Sequence, residues 1–203
     1  MKLYITPGSP YARMVRMAVI EKGLEGRVEI VLAQTRSADS PYYRINPSGR
    51  VPYLIRDDGV GMEESALIWD FLDGLDGNPV MGMPTGAAAL EGQRLEALAR
   101  SLIDGLSVWS REILRPVNEQ SPTVIRHEMQ RAERLTDLWE GEIGGAAMNG
   151  PLNRAQATLA CALGLEARIP AFQWRDRHPQ LQRWLERFAA RPSFASTAPP
   201  AAR

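Results

Sequence analysis

Cysteine is almost absent from this chain. The single Cys161 cannot build a disulfide framework, and there is no Cys-x-x-Cys redox pair. Histidine is nearly as scarce. His127 and His178 lie far apart in sequence and lack metal-ligand spacing, so no metal is expected. Net charge is missing as well: 24 basic and 24 acidic residues cancel. That removes the electrostatic reason to expect nucleic acid or an anionic membrane as partner. The arginines of the later, helical part have acidic neighbours, the pattern of a solvated mixed-charge surface. No apolar run approaches the roughly 18 residues of a membrane span. The start, Met1-Lys2-Leu3-Tyr4, meets Pro7-Gly8 before any long apolar stretch. No signal peptide is therefore expected, and the expected location is cytoplasmic.

What remains is an ordinary globular composition. The 203 residues are enough for one large domain or two small ones. With 44% hydrophobic residues the chain can bury a substantial core. The first part alternates strand and helix signals. Leu3-Tyr4-Ile5 reads as a buried strand, Ser9-Pro10 as a helix start and Gly23 as its end. Val28 to Leu32 is a second strand, and Gln34 to Arg44 a polar loop with room for a short helix. Val51 to Ile55 and Val60 to Met62 flank the turn Asp57-Asp58-Gly59 and predict an antiparallel hairpin. A helix opening at Glu64-Ser65 follows. The order β-α-β, then β-β-α, is that of a thioredoxin-like α/β domain over residues 1–75.

Gly74 to Gly86 is rich in Gly and Pro and has little periodicity, so 76–86 is expected to be a linker. Residues 87–203 read as an all-α C-terminal helical domain. Leu95, Leu98, Leu102, Leu106, Trp109 and Ile113 make one face of a long helix that Pro116 stops. Ser121-Pro122 opens a second helix, Asn153 a third and His178-Pro179 a fourth, closed by Pro192. The composition of Ala195 to Arg203 predicts a loosely ordered tail. The long helix also carries a polar stripe of Arg100, Asp104, Ser107 and Arg111 opposite the leucine face.

Three short features of the first domain suit one kind of ligand. Ser9-Pro10 follows the first strand directly. A hydroxyl at a helix N-terminus, beside unpaired N–H groups and the positive dipole end, stabilises an anion. If that anion is a thiolate, its pKa falls from about 8.5 toward neutrality. An N-cap role alone also accounts for Ser9. Val51-Pro52 opens the third strand, where a proline can be cis and turn the Val51 backbone toward an extended peptide. An ordinary trans strand start is the other reading. Glu64-Ser65 opens the next helix. The Ser65 N–H and hydroxyl suit a carboxylate and the Glu64 carboxylate suits an ammonium group, which together describe an amino-acid head. A capped helix with an acidic first turn explains the same residues.

As a set, these segments resemble a known family. Ser9-Pro10-Tyr11-Ala12-Arg13-Met14-Val15-Arg16, Asn46-Pro47-Ser48-Gly49-Arg50-Val51-Pro52-Tyr53-Leu54 and Glu64-Ser65-Ala66-Leu67-Ile68 look like the three N-terminal signatures of soluble glutathione transferases. Gly150-Pro151-Leu152-Asn153-Arg154-Ala155-Gln156 resembles that family's central-helix capping box. His178-Pro179-Gln180-Leu181-Gln182-Arg183-Trp184 and Arg191-Pro192-Ser193-Phe194 resemble the C-terminal helix of its bacterial members.

The resemblance, of serine type, implies a glutathione transferase fold. It implies glutathione as co-substrate, no metal, an electrophilic small molecule as the second substrate, and a homodimer. Ser9 would stabilise the glutathione thiolate. Val51, before a cis Pro52, would pair its backbone with the cysteinyl unit. Glu64 and Ser65 would take the γ-glutamyl end, and Arg50 would lie near the ligand. Tyr11, Asp104 and Ser107 would border the acceptor pocket; a surface ring at Tyr11 and a solvated or dimer-facing stripe are the alternatives.

Departures from the family narrow the expectation. Serine stands where some members carry cysteine, and Cys161 is expected in a helical core, so exchange through a protein thiol is disfavoured. The Ser-Ser-Cys signature of the maleylacetoacetate isomerase branch is absent. Asn153 replaces the usual aspartate of the capping box, with Gln156 at N3. The expected activity is a glutathione transferase acting on electrophiles. A non-catalytic glutathione-binding protein and a glutathione-dependent peroxidase or isomerase are the alternatives.

Overall fold

The computed structural model of the chain describes residues 1–200. It divides into two compact units: Met1–Gly82 together with Pro192–Pro200, and Met83–Arg191. The expected linker at 76–86 straddles that boundary.

The first unit begins with β1 (Lys2–Ile5), α1 (Pro10–Glu21) and β2 (Glu29–Leu32). A single 3-10 turn, Pro41–Arg44, interrupts the following loop. Next come β3 (Tyr53–Ile55), β4 (Gly61–Glu63) and α2 (Ser65–Gly74). The sheet order is β2-β1-β3-β4. β1 runs parallel to β2, with Leu3 opposite Ile30, and antiparallel to β3, with Leu3 opposite Leu54. β3 and β4 form the antiparallel hairpin, Leu54 opposite Met62. This is the thioredoxin-like arrangement.

The ladder on β3 starts at Tyr53 and not at Val51, because Pro52 has no N–H to contribute. Leu3, Leu54, Met14, Met17, Ile68, Trp69 and Leu72 are fully buried. Each such side chain contributes about 1.5–3 kcal/mol by leaving water. Asp73 is buried yet satisfied: its carboxylate accepts the N–H groups of Val80 and Met81, both at 3.0 Å.

The second unit is helical throughout, as the periodicity predicts. It contains α3 (Ala89–Glu112), α4 (Pro122–Glu142), α5 (Ala146–Asn149), α6 (Arg154–Leu163) and α7 (Pro179–Ala189). α3 ends at Glu112, ahead of Arg115, which Pro116 disfavours from helical geometry. Its core face is Leu95, Ala99, Leu102, Ile103, Leu106 and Trp109. Every residue of α6 from Ala155 to Leu163 is buried, so this helix forms the centre of its unit. Cys161 lies there, 1% exposed.

The caps follow the sequence. Ser121 Oγ accepts the Val124 N–H at 3.3 Å and Asn153 Oδ1 the Gln156 N–H at 3.1 Å. Gln156 departs from the expected box. Its side-chain amide donates to the carbonyls of Ala147 and Pro151 at 2.9 and 3.1 Å, which fixes the loop before α6. His178 is buried between the Trp174 carbonyl, 2.5 Å from Nδ1, and Asp137 Oδ1, 2.9 Å from Nε2. No helix among the described residues is long and apolar enough to cross a membrane.

The C-terminal expectations need correction. Pro192 does not close the chain's last helix; it begins a further short one, α8 (Pro192–Ser196), in the first unit. Nor is Ala195 onward loose throughout, since Thr197 is 0% exposed. Ser193 and Phe194 are buried beside it, and together these three side chains cover one side of α1. The end of that expected tail, residues 201–203, lies outside the described residues.

Candidate functional site

Ser9 is the N-cap of α1, with extended backbone angles (φ −78°, ψ 119°) and Pro10 as the first helical residue. The Ser9 Oγ accepts the Ala12 N–H at 3.2 Å. That bond uses a lone pair and leaves the O–H proton available for an acceptor outside the helix. The first turn of α1 contains no acidic side chain, so nothing on the helix itself neutralises the positive end of its dipole. Tyr11 stands in the same turn and is half-buried.

Val51–Pro52 is a cis peptide bond. The Val51 backbone lies outside the ladder that begins at Tyr53. What holds it is the preceding loop. The side-chain amide of Asn46, 3% exposed, donates to the Arg50 carbonyl at 3.0 Å and to Glu63 Oε2 at 3.3 Å. Asn46 Oδ1 accepts the Ser48 N–H at 3.2 Å. The Tyr42 hydroxyl donates to the same Arg50 carbonyl at 2.5 Å, and burial pushes that hydroxyl's pKa up. Ser48 donates to Glu63 at 2.5 Å and accepts the Arg50 N–H at 3.2 Å. Gly49 has φ +67°, and a Cβ there would meet the Tyr43 ring at 2.7 Å. Glycine is therefore favoured on both counts.

Glu64 is the N-cap of α2 but makes no side-chain cap bond, and its φ is +73°. A non-glycine residue in the left-handed region costs about 1–3 kcal/mol and occurs mainly where the surrounding structure fixes it for function. Its carboxylate lies 3.7 Å from the Arg50 guanidinium, and both side chains are exposed. Ser65 follows as the first residue of α2 and is 2% exposed. The first turn of α2, like that of α1, contains no acidic residue.

The predicted residues of the first unit thus occupy two helix N-termini and the loop that ends at Pro52. Asp104 and Ser107 belong to the second unit, on α3. Asp104 is exposed, whereas Ser107 is 8% exposed with an Oγ that has no hydrogen-bond partner among the described residues. The stripe is therefore not uniform: Arg111 is exposed, Arg100 half-buried and Ser107 buried. A hollow of about 440 Å³ in that unit, lined by Val117, Ile125, Arg126 and Met129, includes none of the predicted residues.

Asn46, Tyr42, Ser48 and Glu63 form the scaffold that sequence reasoning did not single out. The turn-forming run Asn46-Pro47-Ser48-Gly49 was their one local signal, because Asn and Ser side chains bond their own backbone in such turns.

Comparison with known proteins bears on the same segments. Residues 3–80 match the family model for the glutathione S-transferase N-terminal domain. Along its full length the chain is 30% identical over 204 residues to the uncharacterized GST-like protein YibF of Escherichia coli K12, covering 100% of both chains. The chain belongs to the glutathione transferase family. Solved members share the fold end to end. A Pseudomonas fluorescens Pf-5 family member, with bound S-(propanoic acid)-glutathione, is 31% identical with a TM-score of 0.82, covering 99% of this chain and 100% of its own. A glutathione S-transferase of Methylobacillus flagellatus KT, with glutathione bound, is 30% identical with a TM-score of 0.85, covering 98% of each chain. Family membership accounts for the pairing of a thioredoxin-like unit with a helical one. It also places Ser9, Val51-Pro52 and Glu64-Ser65 within the stretch matched by the N-terminal family model.

Proposed function

We propose that this protein is a glutathione transferase that binds glutathione in its first unit and directs the sulfur at an electrophilic small molecule. The observation that carries the proposal is Ser9. Its hydroxyl caps α1 with a lone pair, retains its proton, and sits at a helix end free of acidic side chains. A sulfur placed there loses its proton to solvent more readily, because O–H donation and the helix dipole both favour the thiolate. The thiolate then attacks the electrophilic carbon. A carbon–sulfur bond forms as the leaving group departs with its electron pair. The protein supplies anion stabilisation and proximity, and no protein nucleophile takes part.

The remaining residues hold the tripeptide. Ser65 offers its N–H and hydroxyl to the γ-glutamyl carboxylate. Glu64, already beside Arg50, receives the ammonium group. Val51 pairs its backbone with the cysteinyl unit as an added strand. The solved relatives with bound glutathione or S-(propanoic acid)-glutathione support this choice of ligand.

The test is turnover of a dinitrohalobenzene by wild type and Ser9→Ala, with glutathione affinity measured beside it. We expect affinity to be retained within about threefold and kcat to fall roughly 10- to 100-fold, the loss of one charge-assisted hydrogen bond. Equal turnover in the two proteins would remove Ser9 from the mechanism. Retention on immobilised glutathione without turnover of any electrophile would identify a binding protein instead.

A further inference from the structure

We infer that Arg13, held by the C-terminal helix α8, is a positioning residue that keeps Ser9 in place to stabilise the glutathione thiolate. The inference rests on the role proposed above for Ser9. Arg13 is buried, 7% exposed, although arginine is seldom fully buried unless partnered. Its partners come from residues roughly 180 positions later in the same unit. The guanidinium lies 3.6 Å over the Phe194 ring. Nη2 donates to the Phe194 carbonyl at 2.8 Å, and Nε to Thr197 Oγ1 at 3.5 Å.

The neighbouring contacts extend the clamp along α1. Arg16 Nη1 donates to the Thr197 carbonyl at 3.4 Å, and burial lowers the Arg16 pKa. At the far end of α1, the Ser193 hydroxyl donates to Glu21 Oε1 at 2.6 Å. Arg13 and Glu21 are about 12 Å apart along the helix axis. Because Ser193 meets Glu21 while Thr197 meets Arg13 and Arg16, α8 runs back along α1 toward its N-terminal end.

The link to Ser9 is one helical turn. The Arg13 N–H donates to the Ser9 carbonyl at 3.0 Å, and a helical side chain leans toward the N-terminus, over the preceding turn. First turns are where helices fray. Here the cap oxygen must accept the Ala12 N–H while its proton serves a ligand. Fixing Arg13 from α8 holds that turn without using the Ser9 proton. The short helix α8, with Thr197 of the segment that reads as a loose tail, is therefore structural support for the proposed catalytic end of α1.

The experiment compares the pH profile of kcat/KM for a dinitrohalobenzene in wild type, Ser9→Ala, Arg13→Lys, Phe194→Leu, Thr197→Val and Thr197→Ser, with thermal melting and glutathione calorimetry alongside. With glutathione saturating, the acid limb of that profile reports the pKa of the bound thiol. A merely stabilising clamp would lower the melting temperature and leave the limb where it is. We expect the limb to move up by about 0.5–1 pH unit in Arg13→Lys and Phe194→Leu, a roughly three- to tenfold loss below it. Thr197→Val should move it the same way and Thr197→Ser should restore it. If Arg13→Lys does not fold, the Thr197 pair decides. Unmoved limbs in the clamp variants beside an impaired Ser9→Ala would overturn the role of Arg13 and leave the serine assignment intact. A Ser9→Ala profile identical to wild type would instead overturn the reading beneath it.

Discussion

Replacing Asn46 by alanine removes four hydrogen bonds from one buried side chain. The amide no longer reaches the Arg50 carbonyl, Glu63 or, at 3.5 Å, the Tyr42 hydroxyl, and the Ser48 N–H loses its acceptor. The two shorter neutral bonds are worth about 0.5–1.5 kcal/mol each and the one to a carboxylate about 1.5–3, while the long contact to Tyr42 adds little. Two partners keep a second bond, since Tyr42 still holds the Arg50 carbonyl and Ser48 still holds Glu63. The expected loss is therefore toward the lower end, about 2–3 kcal/mol.

Urea denaturation followed by tryptophan fluorescence measures that loss, and calorimetry measures glutathione affinity. Affinity should fall about tenfold, because ordering the loop that ends at Val51 becomes part of binding. Asn46→Asp sharpens the test. It keeps the shape but sets a second carboxylate against Glu63, which raises the folded-state pKa of the introduced group above its unfolded value. Its destabilisation should therefore be full at neutral pH and relieved as pH falls through that raised pKa. A loss below about 0.5 kcal/mol for Asn46→Ala, with unchanged affinity, would refute the scaffold role assigned to the loop.

Two further outcomes are expected. Glu64→Gly relieves a left-handed backbone conformation worth about 1–3 kcal/mol against a glycine entropy cost of about 0.5–1. Melting should rise or stay level while glutathione affinity drops at least tenfold; lower stability with intact affinity would contradict the assignment. In the β3–β4 turn, Arg56 and the Val60 N–H hold the Asp58 carboxyl down to about 2. A depressed folded-state pKa contributes stability above the unfolded value, lost as pH falls through the folded one. The loss should run from about pH 4 to 2 and vanish in Asp58→Asn, with carboxyl NMR titration as the check.

Much of the fold was legible because its determinants are local. Ser9, Ser121 and Asn153 cap the helices that follow them, and Asp57-Asp58-Gly59 turns the hairpin. The Leu95-to-Trp109 periodicity gives the buried face of α3. What escaped is set by distant partners. Pro192 is equally at home after a helix end and at a first helical position; packing on α1 selects the second. Nothing near Arg13 signals that Phe194 and Thr197 will bury it. Asn46 and Glu63 come together only once the β3–β4 hairpin forms. The burial of Ser107, beside stripe residues that are exposed or half-buried, also escapes, because helical spacing does not say how far each turn is covered.

The central claim is that the Ser9 hydroxyl stabilises a thiolate. Its most direct measurement is the pH titration of the ultraviolet thiolate absorbance of glutathione bound to wild type and to Ser9→Ala. One charge-assisted hydrogen bond of about 1.5–3 kcal/mol corresponds to about 1–2 pKa units. The bound thiol should titrate that far below its free value of about 8.5 in wild type and return toward it in Ser9→Ala, with the complex still formed. Superimposable titrations in the two proteins would contradict the account.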